Sequence, residues 1–536
     1  MKTICLATTT VAALGILCAC GPASNQPVGL DNSPVVAQRV VTPQGDEVVV
    51  ANMDLMTDTI DFPMSLLLSD LEIVKLDDSE EALIGDGYTF VSPNHIVSLA
   101  YQSGVKLFNR DGSFITSVSK RGNGPDEFGN GLYDAQIDDA NNRLYFVNFN
   151  AKKLMTFDLQ GNAFQHIPLA KQVKKGRFHI DTEKKRIYMA ALCFENTEPA
   201  FYIQDFEGNM IQELPSNHLA SQVMDFSNEV YFQQNTSALD YDLFWWGQDR
   251  LDSLYHYDEA ANRMAPKFTT NLNSKDNMHN YIELPGYYLV SCYQPNPPKS
   301  MLAMIDKQTL KGSYVRLILD MMGDIDVTNT GFVDGYYILN IPPFYLQKQW
   351  MNWEDLSNLP AGVAKFVKYI QTEDAEDMNN VILIGKLKQS RDEGFTLKEM
   401  DFDPNRVVEQ KNVSQPAISQ TDDTNDDTIY EYKDLDIWAI YPDGDVQGVL
   451  KYVKERVHYP ENLSADIKGL IYVSFVVNKD GSLSDITLKK GLDPALDEQV
   501  ILAFKGMPKW KPAKKDGKTV RSSYLMAVGV SKEDNK

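Results

Sequence analysis

A turn built around an aspartate recurs at nearly constant spacing through much of the chain, and this repeat constrains the fold more than any other feature. Each copy follows a short apolar or aromatic run, and the turn residues are Asp111, Asp158, Asp205, Asp258 and Asp306. Successive members lie 47, 47, 53 and 48 residues apart. A repeat of this length with several strands in each unit is typical of β-propellers.

The residues around these turns predict an all-β region. From about residue 61 to residue 389, short runs rich in Val, Ile, Tyr and Phe alternate with Asn, Asp and Gly, which is the pattern of strands and turns. About 330 residues accommodate six units of this size, so we predict an all-β six-bladed β-propeller over residues 40–400. The segment 71–76 is expected to close the ring by pairing in the last blade, whose final strand is predicted at 381–387. Apolar residues at helical spacing predict an insertion at 350–372.

One stretch of the predicted propeller carries a family resemblance. It consists of residues 106–112, followed by Arg121, Gly122, Asn123, Gly124, Pro125, Asp126, Glu127 and Phe128. In these residues the region resembles the six-bladed propeller lipoproteins of bacterial envelopes, a family with no shared activity to transfer. Paired glycines permit positive φ and proline stiffens a connection. The stretch is therefore interpreted as a structural turn between blades, with a ligand site as the alternative.

The last hundred residues predict a small α+β domain over residues 435–532. A period-two run at 471–477, a turn at Lys479 to Gly481 and a returning run at 483–490 predict a hairpin. Asp493, followed by a proline, predicts the start of a helix, and a closing strand is predicted at 520–530. An earlier helix is predicted by apolar residues at helical spacing, namely Val446, Val449, Leu450, Val453 and Val457.

Short words within this tail carry a second resemblance. They are Tyr459, Pro460, Gly469, residues 478–481, residues 496–498, residues 507–512, Gly517, Lys518 and Val520. In these positions and in their order the tail resembles the C-terminal domain of TonB, the periplasmic energy transducer of outer-membrane transport. In that family the sheet accepts an extended peptide from an outer-membrane transporter as an added strand.

The TonB resemblance implies a binding site at the last strand of the tail. The implied peptide-binding residues are Tyr459, Pro460, Arg521, Ser523 and Leu525. For Tyr459 and Pro460 a structural role is the alternative, because tyrosine and proline also make a good helix stop. The partner implied by the resemblance is an outer-membrane TonB-dependent transporter or another envelope protein.

The first twenty residues predict a lipoprotein signal peptide. Lys2 is followed by an apolar run at 11–17, which is shorter than the roughly 20 residues needed to span a bilayer. Leu17, Cys18, Ala19 and Cys20 resemble a lipoprotein box, so Cys20 is the predicted lipidation site, with ordinary secretory cleavage as the alternative. Gly21 after the cysteine favours sorting to the outer membrane. The expected location is the outer membrane, attached by the lipid anchor only and facing the periplasm.

Charge divides the chain into two parts. Residues 20–440 contain 34 basic and 61 acidic residues, whereas residues 441–536 contain 16 basic and 13 acidic residues. An acidic body repels phosphate backbones, so we expect no nucleic-acid partner. Residues 401–434 are rich in Asp, Asn, Gln, Ser and Thr, and predict a flexible linker between the two domains.

No catalytic, cofactor or metal site is predicted, and the protein is expected not to be an enzyme. The seven histidines are scattered without metal-ligand spacing. Trp245 and Trp246 follow an aromatic residue and are tentative sugar-stacking residues, with packing in the core as the alternative. Cys193 and Cys292 lie 99 residues apart, two repeat lengths, so they are predicted on equivalent strands of separated blades, too distant for a disulfide.

Two functional hypotheses follow from the sequence. The first is a non-enzymatic envelope lipoprotein in which the propeller binds a ligand or acts as a scaffold, and the tail docks by β-strand addition in the context of transmembrane transport. The alternative is a carbohydrate- or peptide-binding propeller, including a lyase-like one, with a purely structural tail.

Overall fold

The structure is a computed structural model of the chain. It describes residues 29–398 except 86, 123, 130, 195–197, 222–224, 296, 328–330, 351–352, 354, 358 and 373–377, and in the tail residues 428–431, 435, 439, 441–442, 449, 452–457, 468–515 and 518–531. The predicted lipidation site Cys20, the tail residues Tyr459 and Pro460, and residues 401–427 of the predicted linker lie outside the described residues.

In the described part of the body, six β-sheets follow one another along the chain. Four early strands join later sheets: β1 (Ala37–Val41), β2 (Glu47–Ala51), β3 (Thr59–Pro63) and β4 (Leu68–Lys75). Sheet I contains β5 (Gly87–Val91), β6 (His95–Ala100), β7 (Gly104–Asn109) and β8 (Phe114–Ser119). Sheet II contains β9 (Leu132–Asp138), β10 (Arg143–Asn148), β11 (Ala151–Phe157) and β12 (Ile167–Val173). Sheet III contains β13 (Gly176–Asp181), β14 (Arg186–Ala191), β15 (Pro199–Gln204) and β16 (Met210–Pro215).

The remaining three sheets recruit the early strands. Sheet IV contains β1 and β2 with β17 (Glu229–Gln233), β18 (Asp240–Phe244), β19 (Ser253–Asp258) and β20 (Arg263–Thr270). Sheet V contains β3 with β21 (Met278–Glu283), β22 (Tyr287–Pro295), β23 (Pro298–Asp306), β24 (Gly312–Leu319) and β25 (Ile325–Asp326). Sheet VI contains β4 with β26 (Phe332–Val333), β27 (Tyr336–Ile341), β28 (Val381–Leu387) and β29 (Thr396–Leu397). Successive antiparallel sheets of this kind make the body β-propeller-like.

The pairing of β4 with β28 joins the beginning of the body to its end. The two strands run antiparallel, with Ile73 opposite Leu383 and Leu71 opposite Gly385. Leu71 and Leu383 are buried in the same apolar core. The prediction that the segment 71–76 pairs with the last long strand of the body is confirmed.

Backbone geometry explains why aspartates mark the repeat. The Asp158 carboxylate accepts hydrogen bonds from the backbone N–H groups of Gln160 and Asn162, and Asp205 makes the same two bonds one sheet later. Gly161 and Gly208 follow with φ of 84° and 86°, values that favour glycine. The side chain of each aspartate thus holds a tight turn between the third and fourth strands of its sheet.

A helical insertion interrupts sheet VI between β27 and β28. It contains α1 (Pro343–Trp350) and α2 (Ala361–Ile370). The face of α2 formed by Val363, Phe366, Val367 and Ile370 is buried. Phe366 meets the ring of the fully buried Trp350 edge to face, with centroids 5.8 Å apart. The predicted helical insertion is therefore present and adds to the core of sheet VI.

The tail forms a separate α+β unit around a four-stranded sheet. Its elements are β30 (Ile429–Glu431), β31 (Lys468–Val477), β32 (Leu483–Lys490), α3 (Pro494–Lys505), β33 (Lys514–Lys515), β34 (Lys518–Thr519) and β35 (Arg521–Ser531). The sheet order is β30, β35, β31, β32. Asp493 caps α3 by accepting from the N–H groups of Ala495 and Leu496, as the sequence predicts. Gly481 in the hairpin has a φ of 80°.

The tail has its own hydrophobic core. Leu496, Val500 and Phe504 of α3 face Val473 and Phe475 of β31, and all five are buried. Residues 449 and 452–454 are helical, within the first helix that the apolar spacing predicts. Among the described residues, no helix has the length and apolar composition needed to cross a bilayer.

The structure corrects the C-terminal end of the predicted linker. Residues 429–431 form β30, which pairs in parallel with residues 521–523 of β35. Tyr430 packs against the tail core. The tail domain therefore begins before residue 435, because residues 429–431 pair as a strand of its sheet and Tyr430 anchors them.

Truncation of a buried side chain in β4 tests whether this strand holds the body together. Leu71→Ala removes a fully buried group from the core of sheet VI, and we expect a loss of about 2–5 kcal/mol. Ser69→Ala, at a more exposed position of the same strand, should change stability by about 0.5 kcal/mol or less. Chemical denaturation followed by intrinsic fluorescence measures both. Equal effects of the two changes would contradict the role assigned to β4.

Candidate functional site

The last strand of the tail has two different margins. On one side β35 pairs with β31 without a register shift from Ser522 opposite Val477 to Ser531 opposite Lys468. On the other side β30 covers residues 521–523 alone. Among the described residues, no strand pairs with the outer side of residues 524–531, which we call the open margin. Unpaired backbone N–H and C=O groups along a regular strand can accept another strand.

The opposite edge of the same sheet is less suited to pairing. β32 shifts register against β31 twice, between Tyr472 and Val473 and between Ser474 and Val476. Asp485 within β32 has a φ of 51°, and Lys489 and Lys490 end the strand. Bulges and edge lysines are features that discourage pairing with a further strand. The open margin of β35 is therefore the better candidate.

The segment that covers the start of β35 is anchored by several contacts. Lys515 Nζ lies 4.8 Å from the centre of the Tyr430 ring. The backbone N–H of Ala439 donates to the hydroxyl of Tyr524 over 2.7 Å. The ring of Tyr524 in turn stacks on Phe475 in the core, with centroids 5.8 Å apart. Residues following β30 are thus tied to the same strand that carries the open margin.

The structure changes the roles expected for the predicted peptide-binding residues. Arg521 Nε donates to Asn478 Oδ1 over 2.9 Å, and Ser523 Oγ donates weakly to the Tyr430 carbonyl over 3.5 Å. Both residues lie where β30 already pairs, so they contact this chain itself. Leu525 lies on the open margin, where its backbone is opposite Ser474. Sequence reasoning missed β30 because three residues in a polar segment give no periodic signal.

The two tryptophans separate into a core residue and a surface residue. Trp245 is fully buried, its indole Nε1 donates to Asp252, and the Arg250 guanidinium lies 4.0 Å from its ring centre. The sugar-stacking interpretation of Trp245 is therefore corrected, because neither ring face is open. Trp246 is 44% exposed and stacks on Tyr293 with centroids 6.0 Å apart.

The two cysteines lie on separated sheets. Cys193 lies two residues after the second strand of sheet III, and Cys292 is in the second strand of sheet V. Both carry free thiols and are buried. Burial raises the pKa of the Cys193 thiol to about 12 and that of Cys292 to about 11, so both are inert as thiolates near neutral pH.

A buried ion network joins sheets IV and V. His256 Nε2 lies 2.5 Å from Glu283 Oε2 and 3.2 Å from Asp240 Oδ1, and Lys307 binds the other oxygen of Glu283. Although burial opposes protonation, hydrogen bonds to Asp240 and Glu283 raise the pKa of His256 to about 9. Burial also raises the pKa of Asp240 to about 7. The sequence gives no sign of this network, since Asp240, His256 and Glu283 come from three different strands and Lys307 directly follows a fourth.

The same three side chains could in principle surround a metal ion. One ligand atom each from Asp240, His256 and Glu283 lies within 4.8 Å of the others. A protonated His256 and Lys307 already balance the two carboxylates, so the cluster needs no further cation for neutrality. Its geometry and charge fit an ion network that holds two sheets together.

A cavity of about 420 Å³ lies where the first strands of the sheets meet. Its wall includes residues of β5, β9, β13, β17 and β21, together with β26 and β27 of sheet VI. Arg177 and Tyr231 lie in this wall. The sequence does not predict this grouping, because the wall is formed by strands of six different sheets.

Comparisons with known proteins match a family model to each of the two parts of the chain. A family model described as a domain of unknown function (DUF4934) matches residues 48–386. The chain belongs to the DUF4934 family. A second model, described as the Gram-negative bacterial TonB protein C-terminal, matches residues 455–528. The TonB resemblance of the tail is therefore confirmed, whereas the DUF4934 match gives the body a family without an activity. No curated protein matches the chain.

Several solved structures resemble the DUF4934 protein at low identity. An exported protein from Bacteroides fragilis has 14% identity and a TM-score of 0.42, with 63% of this chain and 98% of that chain covered. A member of the DUF4221 family from Bacteroides vulgatus has 11% identity and a TM-score of 0.32, covering 60% and 97%. The β-propeller domain of Cps50 (Swd1) from Myceliophteria thermophila has 10% identity and a TM-score of 0.25, covering 43% and 98%. Similarities this weak assign no function.

The buried ion network predicts a pH dependence of stability. The pKa of His256 is about 9 in the folded protein, against an ordinary value of 6.5, so its stabilising contribution is complete below about pH 6.5 and is lost as the pH rises through about 9. The raised pKa of Asp240 acts in the same direction. We expect stability to fall by on the order of 2 kcal/mol between pH 7 and pH 9.5, after allowance for partial exposure.

A matched pair of histidine variants checks the origin of this loss. In His256→Gln the decline in melting temperature between pH 7 and pH 9.5 should be much smaller than in the wild type. His218→Gln, at an exposed position, should preserve the full decline. A decline of the same size in His256→Gln would exclude the network as its cause.

Proposed function

We propose that this DUF4934 protein is a non-enzymatic envelope lipoprotein whose tail docks on partner proteins by β-strand addition at the open margin. Lipidation at Cys20 anchors it in the outer membrane with its domains in the periplasm. The partner is an outer-membrane TonB-dependent transporter or another envelope protein, and the body is a ligand-binding or scaffold module. The observation that carries the proposal is a regular strand whose outer side, over residues 524–531, has no strand partner in the described part of the tail.

The length and regularity of the open margin support strand addition. Strands in globular proteins typically have about five or six residues, and residues 524–531 provide room for one of that length. Backbone hydrogen bonds along such a margin supply affinity, while alternate side chains select the partner. The TonB model matches the chain through residue 528, which includes most of this margin.

The body in this proposal is a closed six-bladed propeller in which sheets I to VI are the blades. Hydrogen bonds between neighbouring sheets support this architecture. The Asp134 carboxylate of sheet II accepts from the Phe178 N–H of sheet III over 2.8 Å, and Asp242 of sheet IV accepts from the Tyr281 N–H of sheet V over 2.9 Å. Arg110, at the turn of sheet I, pairs with Glu72 of sheet VI over 3.1 Å. This last pair links the two ends of the series.

In this proposal β30 acts as a competitor for part of the binding margin. Its three residues pair with residues 521–523 and shorten the length of β35 that a partner can reach. Ile429 is 42% exposed, so little apolar burial holds the start of this strand. A partner segment longer than the open margin would have to displace β30.

A proline in the open margin tests strand addition. Leu525→Pro removes a backbone N–H and restricts φ, whereas Leu525→Ala keeps the backbone intact. With the full chain and a fluorescent peptide from the periplasmic N-terminal segment of a TonB-dependent transporter, we expect Leu525→Pro to weaken binding at least about tenfold. Leu525→Ala should weaken it by only a few fold. Thermal melting verifies that both variants are folded, and unchanged peptide binding by a folded Leu525→Pro variant would contradict strand addition.

A proline in β30 tests the competition. Tyr430→Pro, at the central residue of β30, removes a backbone N–H and restricts φ, and Tyr430→Ala serves as the control that truncates the same side chain but keeps the backbone. If β30 competes with the partner, Tyr430→Pro should bind the same peptide about three- to tenfold more tightly than Tyr430→Ala, since a backbone hydrogen bond contributes on the order of 1 kcal/mol. Weaker binding by Tyr430→Pro than by Tyr430→Ala would show instead that β30 is part of the partner site.

A further inference from the structure

The cavity at the meeting point of the six sheets has one fixed cation in its wall. Arg177 in β13 donates from Nε to the Val230 carbonyl over 3.1 Å and from Nη1 to the Tyr133 carbonyl over 3.0 Å. These acceptors belong to sheets IV and II, on either side of its own sheet. The guanidinium is therefore held in one orientation by backbone groups, and only 12% of the side chain is exposed.

One edge of this guanidinium has N–H donors that these two hydrogen bonds do not use. Nη2 has no hydrogen-bond partner among the described residues, and Nη1 has a second hydrogen beyond the one given to Tyr133. The rings of Tyr88 and Tyr231 flank the group, with their centres 5.2 Å and 5.5 Å from Cζ. Two parallel N–H donors in a fixed plane match the two oxygens of a carboxylate.

The carboxylates near Arg177 compensate its charge incompletely. The nearest is Asp134, whose Oδ1 lies 3.7 Å from Nη1 while Oδ2 accepts from the Phe178 N–H. Burial raises the pKa of Asp134 to about 7, against the opposing effect of Arg177. Glu229 is bound by Lys175, which also donates to two backbone carbonyls.

The remaining titratable groups of the wall do not supply a strong counter-ion. Asp334 accepts from the Gln234 N–H, and burial raises its pKa. The neighbouring His179 is not part of this wall, and burial lowers its pKa, which favours its neutral form. Arg177 thus keeps a positive charge whose best unoccupied partner would be an anion inside the cavity.

The rest of the wall suits a small organic body. Phe90, Ile282, Val333 and Leu339 provide apolar surface. Tyr231 and Asn280 add a hydroxyl and an amide, and burial raises the pKa of Tyr231 to about 12, so its hydroxyl stays a donor. A volume of about 420 Å³ lies within the range of small-molecule sites.

We propose that this cavity binds a small organic carboxylate, with its carboxylate paired to the free edge of Arg177 and its body held between Tyr88, Tyr231 and the apolar wall. The site is independent of strand addition by the tail. A sugar acid and an aromatic acid share the required carboxylate and ring, and they differ in how they would use the wall. The sugar acid would bond its hydroxyl groups to Asn280 and Tyr231, and the aromatic acid would use the apolar side.

Calorimetric titration of the full chain tests the site with defined probes. Glucuronate and phenylacetate are the two acids, and glucose and 2-phenylethanol are their uncharged counterparts. We expect at least one acid to bind tighter than its uncharged counterpart by about tenfold or more. The acid that binds more tightly shows whether the ligand is a sugar acid or an aromatic acid. If neither acid binds, or if each uncharged counterpart binds as tightly as its acid, the proposal is wrong.

Variants then locate the site. Arg177→Lys should weaken binding of the preferred acid about tenfold or more, since a lysine cannot reproduce the planar pair of donors. Because Arg177 also holds neighbouring sheets, Tyr88→Ala provides an independent check at a side chain that is 40% exposed, and we expect it to weaken binding about three- to tenfold. Trp246→Ala alters an aromatic residue that is not part of the cavity wall and should leave binding unchanged. Loss of binding in Trp246→Ala, with full binding retained in Tyr88→Ala, would overturn the assignment.

Discussion

The proposed function depends on one constraint, which is that backbone N–H and C=O groups need hydrogen-bond partners. β35 is paired with β31 along one side over its whole paired length, whereas on the other side, among the described residues, a strand pairs only with residues 521–523. The unpaired N–H and C=O groups of such a regular strand can bond to water, and they can also pair with a further strand. The other edge of the sheet carries register shifts and terminal lysines, so the tail presents one receptive margin and one protected edge.

The body uses backbone pairing in the opposite way. Early strands β1 to β4 pair into sheets IV, V and VI instead of forming a sheet of their own. Side chains then join neighbouring sheets, as in the bond from Phe178 N–H to Asp134 and the cluster of Asp240, His256, Glu283 and Lys307. A body held in this way can keep a cavity open between its sheets, because the residues lining it are fixed by their own strands.

The sequence predicts those features that depend on neighbours along the chain. Asp158 and Asp205 bond to backbone groups two and four residues away, so the repeat is visible as a local pattern. The cap at Asp493 and the hairpin at Gly481 are local as well. The pairing of β4 is predictable as well. If the repeat begins partway through a sheet, the last sheet lacks a strand, and a strand from the start of the chain must complete that sheet.

Features that depend on distant contacts escape the sequence. β30 is three residues long and is recognised only by its pairing with β35, and the linker predicted at 401–434 is wrong at that end. Trp245 is open to a surface interpretation because its burial depends on a core that it shares with residues of sheet III, such as Phe201. Arg177 is one basic residue among many until Tyr88 and Tyr231 are placed around it.

Hydrogen–deuterium exchange of the full chain, with and without a transporter N-terminal peptide, tests the central proposal most directly. Along a strand, half of the N–H groups point to each side. Strand addition therefore predicts that the amides of residues 524–531 that point towards the open margin become protected from exchange when the peptide binds. Exchange in β32 should stay unchanged. Peptide binding that leaves residues 524–531 exchanging at their free rate, or that protects β32 instead, would contradict docking at the open margin.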